Sequence, residues 1–326
     1  MRRTDVPMPL LVLAAGQAGL VSARQCDADG FDRCHRHRLV AAGRASYPTR
    51  GVLDLAPELT SRGMSGNEDG PDHWRRRAAC LALLAYGPAA IAVGPCALVM
   101  LGVRGLPREV RPEVAVLGSS RASRDGIVVR RFAGSIPTVR RGAFSVATPV
   151  WALAHAVREL NRDHAVAVLD SALNLGLIGE RQLDDIARLM RRRRGARRAS
   201  AWLTLADGRS QSPLETRARL QCLDAGVPPD DLQVPIRDSQ GRIVARGDLG
   251  WRLRRGRWLI AEIDGVGPHS GPEALHTDRG RQNAIAATGR AIVLRFTATD
   301  LAARRVGVAV TAHLALEALR ELESAS

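Results

Sequence analysis

The side chains best equipped for chemistry are four carboxylates in the last third of the chain, Glu215, Asp248, Glu262 and Asp264, with His269 close behind. Two runs rich in β-branched and aromatic residues, Ile243–Trp251 and Trp258–Asp264, flank the arginine-rich turn Arg252–Arg257 and predict an antiparallel hairpin. With the loop centred on Arg255, Asp248 falls directly opposite Glu262, their Cβ atoms roughly 4.5–5.5 Å apart. Period two puts Asp264 on the face of Glu262. Carboxylates this close repel one another unless a cation offsets them. A divalent ion with oxygen ligands would supply that charge; arginine neighbours are the alternative. A slip of one residue would send the side chains to opposite faces.

The elements that must position this pair surround it. Ser212-Pro213-Leu214-Glu215 opens a helix that runs to about Ala225. Ser212 is its N-cap, Pro213 stands at N1 and Glu215 at N3 of a capping box, a sufficient local job for Glu215. Leu214, Ala218 and Cys222 share one face, and Leu232–Ile236 reads as a strand. After the hairpin, Gly265, Gly267, Pro268 and His269 make a turn near the carboxylates. A helix over Pro272–Thr288, a strand over Ala291–Phe296 and a last helix over Val306–Glu323 follow.

The string Glu262-Ile263-Asp264-Gly265, then Gly267 and His269, then Asp278-Arg279-Gly280-Arg281-Gln282-Asn283, then Leu294-Arg295-Phe296, resembles one family. It is the Vsr-like (very-short-patch-repair-like) domain of the PD-(D/E)XK restriction-endonuclease superfamily, over about residues 206–305. The resemblance implies a restriction-endonuclease-like α/β fold and metal-dependent hydrolysis of DNA phosphodiesters. It makes Asp248 the motif aspartate and Glu262 the motif acid, both metal ligands, and matches Glu215 to the acid on the first helix. It implies His269 as a general base or water-orienting group, and Arg279, Arg281 and Arg295 as holders of the scissile phosphate. Asp264 stands where the superfamily has lysine, a departure that Vsr-like members share. Asp264 is then a third metal ligand or the cap of the glycine turn. The missing lysine favours the other reading, a nuclease-like module without activity behind a DNA-binding repressor.

The front of the chain reads as a small helical unit. Leu10–Ala15 is a short apolar helix, Ser22 caps a second that runs to Ala28, and Asp29-Gly30 is a turn. Asp32 caps a third, Asp32–Ala42, with Leu39 and Val40 inward and Gly43 ending it. Arg44–Leu53 follows as a hairpin. This is the layout of a winged helix-turn-helix, whose third helix enters the major groove while the hairpin lies on the backbone. Its candidate DNA contacts are Arg33, Arg36, His37, Arg38, Arg44 and Arg50; an ordinary wet helix face is the alternative. Residues 8–55 resemble the winged-helix domain of AbiEi-type antitoxins, the repressor half of abortive-infection toxin–antitoxin pairs. That resemblance implies double-stranded DNA and a toxin or operon partner. In actinobacterial relatives a Vsr-like domain follows such an AbiEi-like domain.

Composition sets the frame. The chain has 326 residues, a net charge of +15 and 48 basic residues, all of them arginine. No mechanism can rest on a lysine nucleophile, Schiff base or phosphate-loop lysine. Residues 1–200 carry 31 arginines against 18 acids, whereas residues 201–326 carry 17 against 15, so polyanion binding is expected of the front. Aromatic residues make up only 3%, which argues against a base-stacking platform for single strands. Five cysteines without a C-x-x-C pair predict neither a disulfide framework nor a zinc site.

Two apolar stretches are deceptive. Leu10–Val21 behind Arg2 and Arg3 has a leader-like outline, but Gly16, Gln17 and Gly19 interrupt it. Ala78–Val103 carries no charge, but Gly87-Pro88 and Gly94-Pro95 cut it into two short buried helices and a connector rather than a membrane span.

The middle reads as helix Arg75–Ala85, strands Val114–Leu117 and Gly126–Phe132, and helices Thr148–Leu160, Ala165–Leu173 and Glu180–Met190. It ends in Arg191–Arg198, six arginines in eight residues, which reads as a phosphate strip, a hinge or a solvated helix end. His155 and His164 stand alone and read as structural. The expected architecture is multidomain α+β: a winged helix-turn-helix over 1–73, a mixed α/β middle domain over 74–205, and a restriction-endonuclease-like α/β domain over 206–326. A cytoplasmic DNA-binding protein is expected, with no membrane partner. A homodimer is compatible with cutting both strands.

Overall fold

Side-chain caps set several helix starts. Ser22 Oγ accepts from the Gln25 N–H and Gln25 Oε1 accepts from the Ser22 N–H, a complete capping box. Asp32 accepts from the His35 N–H, and Ser212 from the Glu215 N–H. The computed structural model describes residues 5–64, 70–117, 121–264, 285 and 287–323. The chain is mixed α and β and divides into two units, one running to Val168 with Leu175–Thr204, the other Leu169–Asn174 with the residues from Leu205 onward.

The first unit begins α1 (Met8–Gly16), β1 (Leu20–Ser22), α2 (Ala23–Ala28), α3 (Arg33–Ala41), β2 (Ser46–Thr49) and β3 (Val52–Asp54). Its three strands form an antiparallel sheet in the order β1-β3-β2. Leu10, Leu11 and Ala14 of α1 pack with Val21, Phe31, Leu39 and Leu53. Then come α4 (Ala56–Ser61), α5 (Pro71–Tyr86), β4 (Ala90–Ala92), α6 (Gly94–Met100), β5 (Glu113–Val116), β6 (Val128–Arg130), β7 (Thr138–Arg141), β8 (Phe144–Ala147), α7 (Pro149–Ala156), α8 (Arg162–Asn174, whose end from Leu169 belongs to the second unit), α9 (Arg181–Met190) and α10 (Ala196–Leu203). Strands β4 to β8 form a sheet in the order β6-β5-β4-β8-β7. The uncharged stretch from Ala78 holds the end of α5 and all of α6, and the connector between them is the sheet's central strand β4. No described helix is long and apolar enough to cross a membrane.

Glu58 on α4 is 2% exposed and lies between two arginines. It accepts from Arg44 Nε at 2.9 Å, Arg44 Nη2 at 2.7 Å and Arg62 Nε at 2.7 Å. These bonds, Arg44's first, hold its carboxyl below the usual glutamate value against the opposing effect of burial. The resulting stabilisation is present above the unfolded-state pKa and is lost as pH falls through the lower folded value. Glu58→Gln is expected to cost about 1–3 kcal/mol near neutrality and less as the pH drops. Urea melts at stepped pH measure both effects, and a loss that stays constant on acidification would contradict the assignment.

The second unit contains α11 (Pro213–Asp224), β9 (Asp231–Arg237), β10 (Ile243–Arg252), a 3₁₀ turn at Arg254–Gly256, β11 (Trp258–Asp264), β12 (Ala291–Thr297), α12 (Ala298–Ala302) and α13 (Arg305–Glu323). The sheet order is β12-β11-β10-β9, antiparallel except for the parallel pair β11 and β12. One face carries Leu249, Trp251, Leu259, Ala261 and Phe296, packed with Ala218 and Cys222 of α11 and Val306 and Val310 of α13. The other carries the smaller cluster Val234, Ile236, Ala245, Ile260 and Ile285. Helices α11 and α13 meet closely at Gly307, where a Cβ would stand 2.6 Å from the Gln221 carbonyl oxygen.

Candidate functional site

The hairpin forms in the expected register. Leu249 pairs with Ala261 and Arg252 with Trp258, so the next rung sets Asp248 beside Glu262. On the other side of β10, Gly247 pairs with Val234 and Leu249 with Leu232, which sets Gln233 beside Asp248. The parallel pairing puts Arg295 beside Glu262. Extended one rung beyond its last β10–β11 pair, this register aligns Gln233, Asp248, Glu262 and Arg295 across the four strands.

Hydrogen bonds tie this row together and extend it to α11. Gln233 Nε2 donates to Glu215 Oε2 at 3.0 Å and lies 3.5 Å from Asp248 Oδ1. Asp248 Oδ2 accepts from the Ile263 N–H at 2.8 Å, and Arg295 Nη2 lies 3.1 Å from Glu262 Oε2. Glu215 and Glu262 are buried, at 7% and 4% exposure, and Asp248 is half-buried. The capping role expected of Glu215 is half realised. Ser212 caps the helix, but the Glu215 carboxylate accepts from the Gln211 N–H at 2.8 Å and from Gln233.

The row lies where strand alternation breaks. Leu232 and Val234 are two residues apart, so a regular strand would put them on one face. Leu232 instead packs in the larger cluster and Val234 in the smaller one. On β10 the break recurs between Ala245, in the smaller cluster, and Leu249, in the larger. Gln233 takes up the slip with φ +53°, a left-handed conformation uncommon outside glycine. Sequence reasoning missed Gln233, because a lone polar residue in an alternating strand gives no such signal.

Asp264 ends β11 exposed, in register with Thr297. Among the described residues no three His, Cys, Asp or Glu side chains are grouped to hold a metal. His269, Arg279 and Arg281 lie outside the described residues.

In the first unit, Arg33, His37 and Arg38 are exposed on α3, and Arg50 is exposed in the β2–β3 turn. Arg36 and Arg44 depart from the expected contact set. Arg36 is buried at 7% exposure, and its Nη1 donates to Asp27 Oδ1 and to the Phe31 carbonyl at 2.8 Å. It therefore joins α3 to α2 and the intervening turn. Arg44 is bound bidentately to Glu58.

No protein-family model matches the chain. It is similar to two proteins of Mycobacterium tuberculosis, the uncharacterized protein MT2308 of strain CDC 1551 / Oshkosh and the uncharacterized protein Rv2248 of strain H37Rv. Each is 31% identical over 184 residues, which is 56% of this chain. The match spans 62% of the length of these curated relatives.

Proposed function

We propose that the protein binds double-stranded DNA and that its second unit hydrolyses a phosphodiester bond, with Mg²⁺ or Mn²⁺ held by Asp248 and Glu262. The observation that carries this reading is the row Gln233-Asp248-Glu262-Arg295, two carboxylates on adjacent strands with a donor at either end. The donor set suits the ion, since Mg²⁺ is commonly bound by one or two carboxylates together with substrate phosphate oxygens. Such an ion, when bound, supplies Lewis-acid charge at the phosphoryl group and lowers the pKa of water. Gln233 orients Glu215 and Asp248, and Arg295 carries positive charge beside Glu262, suited to a scissile phosphate. His269, Arg279 and Arg281 complete the proposed site by resemblance alone.

The order helix, strand, two helices, two strands, with sheet order β1-β3-β2, supports a winged helix-turn-helix in the first unit. Arg33, His37, Arg38 and Arg50 are its proposed DNA contacts, in a cytoplasmic protein with an AbiEi-like regulatory role and a toxin or operon partner. A specific observation favours a second reading, a repressor with an inactive nuclease-like unit. The protein's own groups already compensate both carboxylates, Arg295 at Glu262 and the Ile263 N–H at Asp248.

A plasmid-nicking assay separates the two. Nicking that needs Mg²⁺ or Mn²⁺ and disappears in Glu262→Gln is the expected result. Retained salt-sensitive DNA binding without nicking of supercoiled, mismatched or single-stranded DNA would leave the second reading standing.

A further inference from the structure

The first unit holds a polar cavity of about 150 Å³, lined by Glu113, Arg130, Arg131, His155, Arg158 and Arg193 among others. Its cations outnumber its anions, and they are engaged to different degrees. Arg130 is fully committed, with Nε 2.8 Å from Glu113 Oε2 and Nη2 2.6 Å from Glu159 Oε2. Among the described residues, Arg158 donates to neutral acceptors, the carbonyls of Ala154 and Arg194 and the His155 Nδ1. The guanidinium groups of Arg131 and Arg193 make no hydrogen bond or ion pair with any described residue.

His155 is wedged between Trp151, 3.9 Å away between ring centroids, and Phe132 at 4.9 Å. The charged groups that line the cavity with it are Arg158 and Glu159 after α7, Arg193 after α9, Arg130 at the end of β6 with Arg131 following, and Glu113 on β5. Burial, then Arg158, Arg193 and Arg130, push its pKa down to about 4, so the imidazole is neutral at pH 7. Arg131 and Arg193 are exposed and Arg158 is half-buried, and a cluster of cations with less counter-charge attracts anions.

We propose that this cavity binds a phosphate-sized oxyanion, with Arg131, Arg158 and Arg193 as its charged donors. The volume falls well below the roughly 300 Å³ at which small-molecule pockets begin, so it takes a phosphate group and no nucleoside. The ligand is orthophosphate or the terminal 5′-phosphate of a nucleic-acid strand. All its lining residues belong to the first unit.

The test is a titration of the full chain with orthophosphate, against chloride at equal ionic strength. It follows the imidazole NMR resonance of His155, assigned by its loss in His155→Gln. Phosphate is expected to raise the pKa of His155 by about one pH unit or more. The double variant Arg131→Gln/Arg193→Gln should weaken binding about tenfold or more, and Arg141→Gln, an exposed arginine on β7, should not. Five-nucleotide strands with and without a 5′-phosphate then assign the source. Preference for the phosphorylated strand over orthophosphate identifies a strand end, and equal affinity identifies the free ion. A pKa rise that chloride reproduces, a rise that survives in the double variant, or no binding of either probe would overturn the proposal.

Discussion

Replacing Asp248 by asparagine is expected to lower metal-dependent DNA cleavage by about 10³-fold or more while leaving DNA affinity within about twofold. The substitution is informative because Asp248 does two things. Its Oδ2 accepts the Ile263 N–H just beyond the last paired rung of β10 and β11, a backbone role. Its charge, with that of Glu262, is what a divalent cation requires. Asparagine keeps an oxygen for the Ile263 N–H and removes the charge, so the fold should persist while the proposed chemistry stops. Alanine would confound the two by leaving a backbone donor without its partner. Affinity should hardly change, since duplex binding is dominated by arginine contacts to phosphates, and the arginine excess lies in residues 1–200. Nicking rates and fluorescence-anisotropy isotherms across a salt series measure both. Parallel loss of cleavage and affinity would make Asp248 a DNA contact or a purely structural residue.

The largest expected loss of stability is at Asp170. Its carboxylate is 1% exposed and accepts from the Asp207 N–H at 2.7 Å, Thr216 Oγ1 at 2.8 Å and Arg219 Nη2 at 2.8 Å. Burial pushes its pKa up although Arg219 and these donors pull it down. The geometry joins the end of α8, the loop before α11 and α11 itself within the second unit. Asp170→Ala would leave Arg219, itself mostly buried, with an uncompensated charge and the Asp207 N–H without its acceptor. The expected cost is about 3–5 kcal/mol. Asp170→Asn keeps an acceptor and should lose less. Chemical denaturation followed by the fluorescence of Trp251 and Trp258, in a background with Trp74, Trp151 and Trp202 replaced by phenylalanine, reads the second unit, and an alanine variant within about 1 kcal/mol of that background would show that the network contributes little.

Local chemistry was legible where it was self-sufficient. Ser22, Asp32 and Ser212 announce helix starts because each cap is satisfied within three residues. The hairpin register could be read because an arginine-rich turn separates two apolar runs, and Arg255 at φ +58° makes the turn that the spacing required. Interactions between distant segments were hidden. Arg36 looks like a surface residue until α2 brings Asp27 to it. β7 has a single apolar residue, Val139, and exists because β8 offers it an edge. The neighbours of Asp248 were only half readable. Glu262 follows from the hairpin, whereas Gln233 depends on a slip shared by two strands.

That shared slip gives the β9–β10 hairpin two separate anchors. Among the described residues, its outer half, Val234 to Ala245, packs in a cluster with five buried residues, and its inner half in one with twelve. A segment held by the smaller cluster opens at lower free energy than its neighbour. Gln233 stands at the seam between them. Fraying of the outer half would draw its amide away from Glu215 and Asp248 while leaving both carboxylates on their helix and inner strand. The tether between Glu215 and Asp248 thus sits at the edge of the smaller cluster, whereas the two acids stand on elements that pack in the larger one.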